Sequence, residues 1–439
     1  MTSTVAMPLI LSAIKRVHFV GIGGIGVSAI ARMFLEEGKT VSGSDRARSR
    51  ITDELAARGA QIYFTHEATN VAPEVDLVVY TIAVPTDNPE LVEARRRELP
   101  IISYPQLLGQ ISATKSTVAV AGTHGKTTTT GMLAKIFLDA ERDPTVIIGS
   151  LLLDLESNFV AGQGNDFIVE ACEYRRSFLN LLPRIAVITN IDADHLDYYR
   201  DLAEIQTAFA EFAAKIPADG FLICDPAHPN LTPVLAGLNC QIIDYTKESL
   251  EGLTLQMPGQ HNRQNAQAAL AAARAAGLDG DQARQSLATF RGTWRRFELK
   301  GTLASGALLY DDYAHHPSEI VATLQGARER FPGKKLLVIF QPHLYSRTRE
   351  HLAEFAAVLA TADEVWLLPI YAAREAPDSA ISSERLAQAI NDQGAGRAAV
   401  YSDFSQLAEA LLARRVGEET VVISMGAGDI SELPALLLH

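Results

Sequence analysis

Residues 118–130 read VAVAGTHGKTTTT: small and β-branched apolar residues, two glycines enclosing Thr-His, then a lysine and four threonines. The apolar run has the composition of a strand buried on both faces, and the Lys-Thr step that follows the turn opens a helix. A buried strand that feeds a helix through a glycine turn belongs to a parallel sheet covered by helices, so this unit restricts the fold more than any other segment. The glycine that the longer form of the phosphate loop places ahead of the turn is replaced by Val120, leaving the shorter loop Gly122-Thr123-His124-Gly125-Lys126-Thr127. Backbone N–H groups from Gly122 to Lys126 are expected to cradle the β- and γ-phosphates. Lys126 would neutralise them, the Thr127 hydroxyl would reach Mg2+, and Thr128 lies in the same helical turn. A turn with no ligand would have little use for a lysine between a glycine and a threonine.

A second glycine loop, GIGGIG, follows the strand-like VHFVGI. It carries Gly21, Gly23 and Gly26 in the G-x-G-x-x-G pattern, with Gly24 and Ile25 between them. Glycines let the backbone approach a diphosphate, and the helix N-terminus supplies N–H groups and the positive end of its dipole. Ser44 and Asp45 close the next strand, at the distance where a carboxylate holds a ribose hydroxyl. The pattern by itself suits a nicotinamide dinucleotide. A UDP-sugar presents the same pyrophosphate, and a purely structural turn is the simpler alternative.

Strand-like and helix-like runs alternate along all 439 residues, which predicts an α/β protein of roughly three domains. Residues 1–113 read as a Rossmann-like domain. Residues 114–296, after the linker-like ISATKST, read as a central ATPase-like parallel sheet with a phosphate loop. The turn RGTWRRFELKG at 291–301 marks a second change, and residues 297–439 read as a further Rossmann-like α/β domain. In the central region DFIVEA brings Glu170 to the end of a strand, and TNIDADHLDYY places Asn190 and His195 just beyond the next. Ligands of open parallel sheets bind at those ends, so a hydroxyl, a carboxylate and an imidazole there would suit a divalent cation. His195 alone would be an ordinary loop histidine.

The formal net charge of −13 argues against general nucleic-acid binding. Three cysteines without a CxxC pair indicate neither a disulfide framework nor a zinc knuckle and suit a reducing cytosol, so a cytoplasmic location is expected. The opening MTSTVAMPLILSAIKR has its basic residues after the apolar run and is not expected to be a signal peptide. No later run is long enough for membrane insertion.

GIGGIG with SGSD, GTHGKTTTT, NIDADHLDYY, HNRQNAQAA, WRRFELKG, DDYAHHPSE, FQPHLYSRT and MGAGDI occur in that order. The ensemble closely resembles the Mur ligases over nearly the whole chain, and the shorter phosphate loop is that family's form. DDYAHHP and QPHxYxRT look most like its alanine-adding branch. The resemblance implies ATP and Mg2+ as cofactors and UDP-N-acetylmuramate and L-alanine as substrates. The first domain would hold the UDP-sugar and the second ATP, and the third would close over both and bring the amino acid. It implies amide formation through an acyl phosphate, with Lys126, Glu170 and His195 at the reacting phosphate and metal. His261, Asn262 and Asn265 fall where the family contacts adenine, although helix capping is the plainer reading of Asn262. By the same match Arg296 would touch phosphate and Asp312 the ATP ribose or the position of the third domain. Tyr313, His315, His316 and Arg347 would border the amino-acid pocket, with His316 orienting the amine or accepting its proton. Gly426, Ala427 and Gly428 are expected to form a close-packed turn.

The chain departs from the family's usual E-A-D-E-S-D, reading Glu170-Ala171-Cys172-Glu173-Tyr174-Arg175, with Arg176 beside it. Arg175 or Arg176 is expected to take over an anion contact. Leu344 stands where an arginine is common, leaving Arg347 and then Arg349 to hold the amino-acid carboxylate. Other readings are a muramate ligase for another amino acid or a peptide, an NAD-dependent oxidoreductase built on Gly21 and Asp45, and a catalytically weakened binding protein. A monomer or weak homodimer is expected.

Overall fold

The computed structural model describes residues 10–438 apart from 197, 374, 395 and 396; residues 1–9 of the segment weighed as a leader lie outside them. Three sheets follow one another along the chain. The first comprises β1 (Arg16–Val20), β2 (Thr40–Ser44), β3 (Gln61–Tyr63), β4 (Leu77–Tyr80) and β5 (Ile101–Ser103), all parallel, in the order β3-β2-β1-β4-β5. Its two faces are separate cores: Val17 and Phe19 of β1 point to one, and Val20 joins Val78 and Leu91 in the other. That is the period-2 alternation of a strand buried on both sides.

The second sheet contains β6 (Ser116–Ala121), β7 (Thr145–Leu152), β8 (Ser157–Val160), β9 (Asp166–Glu170), β10 (Ile185–Ile188), β11 (Phe221–Cys224) and β12 (Gln241–Asp244), in the order β12-β11-β10-β6-β9-β7-β8. Only the edge pair β7–β8 is antiparallel. The linker is shorter than ISATKST suggests: a helix, Tyr104–Ser112, runs to within three residues of β6, capped at its start by Ser103 and Gln106.

The third sheet contains β13 (Glu298–Thr302), β14 (Leu308–Asp312), β15 (Lys335–Phe340), β16 (Glu364–Leu367), β17 (Arg397–Val400) and β18 (Thr420–Met425), in the order β13-β14-β18-β15-β16-β17. The segment expected to be only a turn, 291–301, supplies most of β13, which pairs antiparallel with β14. Cores cover both faces of this sheet, one built on Val338 and Phe340, the other on Leu337 and Ile339.

The chain divides into two compact units. One runs to Leu253 and includes Gln264–Phe290; the other is Thr254–Arg263 with Arg291 onward. The first two sheets lie in the first unit and the third sheet in the second. In the first two sheets the strand that precedes a glycine turn lies where the connections change direction: β1 between β2 and β4, and β6 between β10 and β9. Such switch points open a crevice at the strand ends. Among the described residues no helix is long and apolar enough to cross a membrane.

Candidate active site

The turn after β6 takes its shape from its glycines. Gly122 and Gly125 have φ of 136° and 82°, in the left-handed half of conformational space. A Cβ at Gly122 would lie 2.0 Å from Thr189 Oγ1, and one at Gly125 2.3 Å from Asn265 Oδ1, so space as well as φ excludes a side chain. The loop is clamped from β10's end: Asn190 Oδ1 accepts from His124 N (2.8 Å), Asn190 O from Thr123 N (3.0 Å), and Thr189 Oγ1 donates to His124 O (2.5 Å). This corrects the expected cradle. The amides of Thr123 and His124 belong to the clamp, whereas the first helical bond runs from Thr129 N to Gly125 O (2.9 Å). The N–H groups of the first turn, Lys126 to Thr128, precede that bond, as at any helix N-terminus.

Lys126 Nζ donates to Gly122 O (2.6 Å), Thr123 O (2.9 Å) and Glu173 Oε1 (2.9 Å). Burial works against its charge, but Glu173 and its other acidic neighbours hold the ammonium above the ordinary lysine range. Glu173 is a site residue to which the sequence reading gave no role. It is buried (2% exposed), and its Oε2 has no hydrogen-bond partner.

Thr127 Oγ1 donates to Glu170 Oε1 (3.0 Å), and Glu170 Oε2 accepts from Gly149 N (2.8 Å). His195, at φ 54°, turns Nε2 to Glu173 Oε1 (3.7 Å) and Asp194 Oδ2 (3.8 Å). Among the described residues no group of three or more His, Cys, Asp or Glu side chains is arranged to hold a metal. The Thr127 hydroxyl and Glu170 carboxylate, 3.0 Å apart, are hard oxygen donors of the kind magnesium takes.

At the first loop, Asp45 Oδ2 accepts from Gly23 N (2.8 Å), and Ser28 N to Gly24 O (2.8 Å) is the first helical bond. The Ile25, Gly26 and Val27 amides precede it, as a diphosphate site requires. Gly21 N goes instead to Ser44 O (2.8 Å). Ser44 departs from expectation. Its side chain is fully buried and donates to Glu90 Oε2 (2.6 Å), within a network of His66, Asn70 and His18, so it supports the loop from below. Burial raises the Glu90 carboxyl, but the bonds from His18, Ser44 and Asn70 hold it below the usual carboxylate range.

Of the two unusual arginines, Arg176 is paired with Glu211 and Glu204. Arg175 is exposed and donates to Ile82 O (3.2 Å), just past β4. Both have left-handed backbone, φ 51° and 55°. Asn265 meets Gly125 in the first unit, whereas His261 and Asn262 belong to the second. Asn262 Nδ2 donates to Pro258 O (2.7 Å), and burial, then Arg296, push the His261 imidazole down to about 4.

In the second unit Asp312 accepts from Phe297 N and Ala314 N (both 2.7 Å), bonds that tie it to the surrounding loop, and burial pushes its carboxyl up to about 6. Arg296 lies 3.8 Å from Glu319 and over the Tyr313 ring. His316 caps helix Pro317–Arg330, its Nδ1 accepting from Ser318, which engages one of the two ring nitrogens of the histidine expected to serve the amine. His315 is engaged differently. It is mostly buried, and its Nδ1 lies 3.0 Å from Tyr313 O, an arrangement that fixes the proton there and leaves Nε2 as an acceptor. Burial holds its pKa below the ordinary histidine value. Arg347 lies 3.3 Å from His343 Nδ1, while Arg349 is committed to Asp378. Leu344, at φ 72° and ψ 133°, occupies a strained conformation at the start of the arginine-bearing helix. A cavity of about 710 Å³ beyond β16 and β17, lined by Ile370, Ser382 and Tyr401 among others, contains none of the predicted pocket residues.

Two crevices at sheet switch points, one with a clamped lysine-bearing phosphate loop and one with a diphosphate-type glycine turn, define a nucleotide-using α/β enzyme. The chain matches the catalytic domain of the Mur ligase family over residues 16–116, the Mur ligase middle domain over 120–251 and the Mur ligase glutamate ligase domain over 295–428. It is 39% identical to the UDP-N-acetylmuramate–L-alanine ligase of Clostridium kluyveri, over 97% of this chain and 98% of that one. The enzyme of the same name from Salinibacter ruber is 41% identical over 96% and 94%. Among solved structures, the UDP-N-acetylmuramate-alanine ligase of Thermotoga maritima superposes with a TM-score of 0.79 at 30% identity, covering 96% of this chain and 97% of that one. A murein peptide ligase from Psychrobacter arcticus gives 0.68 at 26%, covering 97% and 98%. The chain belongs to the Mur ligase family. An oxidoreductase reading of the first glycine turn has no support in that family.

Proposed function

We propose that the protein joins L-alanine to the lactyl carboxylate of UDP-N-acetylmuramate at the expense of ATP, releasing ADP and phosphate, in the cytoplasmic assembly of peptidoglycan precursors. The observation that carries this reading is the set Lys126, Thr127 and Glu170 at the ends of β6 and β9, in a chain that matches alanine ligases from end to end. Residues 1–113 are assigned to the UDP-sugar, 114–296 to ATP and 297–439 to the amino acid.

A carboxylate is a poor electrophile. Its oxygen attacks the γ-phosphorus, the β–γ bridge breaks, and the resulting acyl phosphate carries a good leaving group. The alanine amine then attacks the carbonyl, loses a proton, and phosphate departs. The protein's part is positioning and charge neutralisation. The helix amides from Lys126 to Thr128 and the Lys126 ammonium hold the phosphates; the Gly24–Gly26 turn holds the diphosphate of the sugar nucleotide, with Arg175 as a further anion contact. Thr127, Glu170 and His195 would hold magnesium, which supplies neutralising positive charge to the phosphates when bound. His315 Nε2 is the acceptor available to the amine.

With ATP, Mg2+ and UDP-N-acetylmuramate, phosphate release is expected to depend on an added amino acid and to be fastest with L-alanine across a panel that includes glycine, serine and L-alanyl peptides. Release without the sugar nucleotide, or preference for a peptide, would refute the assignment. Arg347 is the guanidinium left to hold the alanine carboxylate. Arg347→Ala is expected to raise the KM for alanine about 10- to 100-fold, the worth of a charged hydrogen-bond pair, while the KM for ATP stays within about threefold. Equal effects on both would remove Arg347 from that role.

A further inference from the structure

Lys126 has three ammonium protons, and all three are spent: on Gly122 O, Thr123 O and Glu173 Oε1. None is left for a phosphate. The two carbonyls belong to a loop fixed by the Asn190 clamp, with glycines at positions that have no room for a side chain. The carboxylate is the partner that can be exchanged. It sits on the turn after β9, 47 residues away in sequence, and its second oxygen is buried without a partner. The neighbouring carboxylate, Glu170, is engaged differently: one oxygen meets Thr127 and the other Gly149, and neither is given to the lysine.

We infer that Glu173 is a positioning residue that holds Lys126 against the loop as a surrogate for phosphate and competes with the incoming nucleotide for its ammonium. Triphosphate binding is then an ion exchange. The γ-phosphate then accepts the Lys126 N–H that Glu173 had accepted, and the carboxylate is left facing His195 Nε2, 3.7 Å away. Glu173 therefore weakens the nucleotide's ground-state binding and keeps the lysine in the geometry that the phosphates need. The inference rests on the assignment of ATP to this loop.

The test is equilibrium binding of AMP-PNP to the full chain by calorimetry in EDTA, which removes any metal contribution. Glu173→Gln deletes the competing charge and is expected to bind AMP-PNP at least about tenfold more tightly than the wild type. Glu173→Asp, which keeps the charge but draws it back, is expected to gain about two- to threefold, and carries the test should the glutamine variant not fold. Glu170→Gln removes the same charge from the same crevice without touching Lys126, so its gain should be clearly smaller than that of Glu173→Gln. A residue that only stabilised the turn would change the melting temperature and leave these affinities alone. No gain in either Glu173 variant, or an equal gain in Glu170→Gln, would overturn the inference. Failure of the wild type to bind AMP-PNP even with magnesium would instead refute the placement of ATP at this loop.

Discussion

Lys126→Met is expected to lower the rate of phosphate release about 10²–10³-fold and to raise the KM for ATP, with the fold intact. The magnitude is that of removing one pre-positioned donor from a site where charge builds up in the transition state. Lys126 is the cation that the phosphate loop itself presents, and its Nζ is held within 3 Å of three acceptors, so its position is fixed before any ligand arrives. The substitution has a second consequence. Glu173 loses its lysine counter-ion while only 2% exposed and keeps only His195 nearby, a loss that costs about 3 kcal/mol, the low end for a broken buried pair. The variant should therefore melt earlier, and Glu173→Gln on top of it should restore the melting temperature but not the activity. That split separates chemistry from stability: recovery of turnover together with stability would mean that Lys126 acts only as a structural cation. Lys126→Arg should behave like the methionine variant in turnover, since a planar guanidinium cannot occupy the point between Gly122 O and Thr123 O that the ammonium fills.

The phosphate loop was legible in the sequence because its physics is local. A strand, two glycines, a lysine and a helix start are consecutive, and each residue type has one physical reason to be there. The same holds for Gly21–Gly26 and for the helix ends at Gly38 and Gly277, both at positive φ. What escaped depends on pairing across the chain. Glu173 reads as one acid in a short turn, and only the return of that turn toward β6 makes it the partner of Lys126. Histidines 315 and 316 are adjacent and indistinguishable by composition. The His316-Pro317 step starts a helix and uses His316 as its cap, while His315 is mostly buried and feels the charges of Glu319 and Arg347. Edge strands were missed for another reason. β13, Glu-Leu-Lys-Gly-Thr, has no fully buried residue and so lacks the apolar run by which the central strands announce themselves. In Trp294-Arg295-Arg296-Phe297 the arginines look alike, but Arg295 and Phe297 adopt φ of 58° and 50°, and the kinked backbone sends one guanidinium into the core.

That buried arginine carries the largest expected effect on stability. Arg295→Met is expected to destabilise the second unit by about 3–5 kcal/mol, the usual cost of stranding one half of a buried ion pair. Arg295 and Asp311 are each 2% exposed, with Nε 2.7 Å from Oδ2. Arg295 Nη2 also donates to Gly426 O (2.6 Å), and Asp311 Oδ1 accepts from Ser424 Oγ (2.7 Å). One guanidinium thus joins β14 to the turn that ends β18, beside the expected close-packed Gly426–Gly428 segment. Gly426 has φ 147°, and a Cβ there would lie 2.6 Å from Gln341 O, so that turn has little room to adjust. Lysine cannot substitute, because a single ammonium does not span the carboxylate and the carbonyl together. Urea unfolding of the full chain, followed by Trp294 and Trp366 fluorescence, measures the loss. The double variant Arg295→Met with Asp311→Leu should recover more than half of it, since removing both charges leaves only a packing defect. A loss below about 1 kcal/mol in the single variant would mean that water reaches Asp311 and that the pair is not the buried strut its geometry describes.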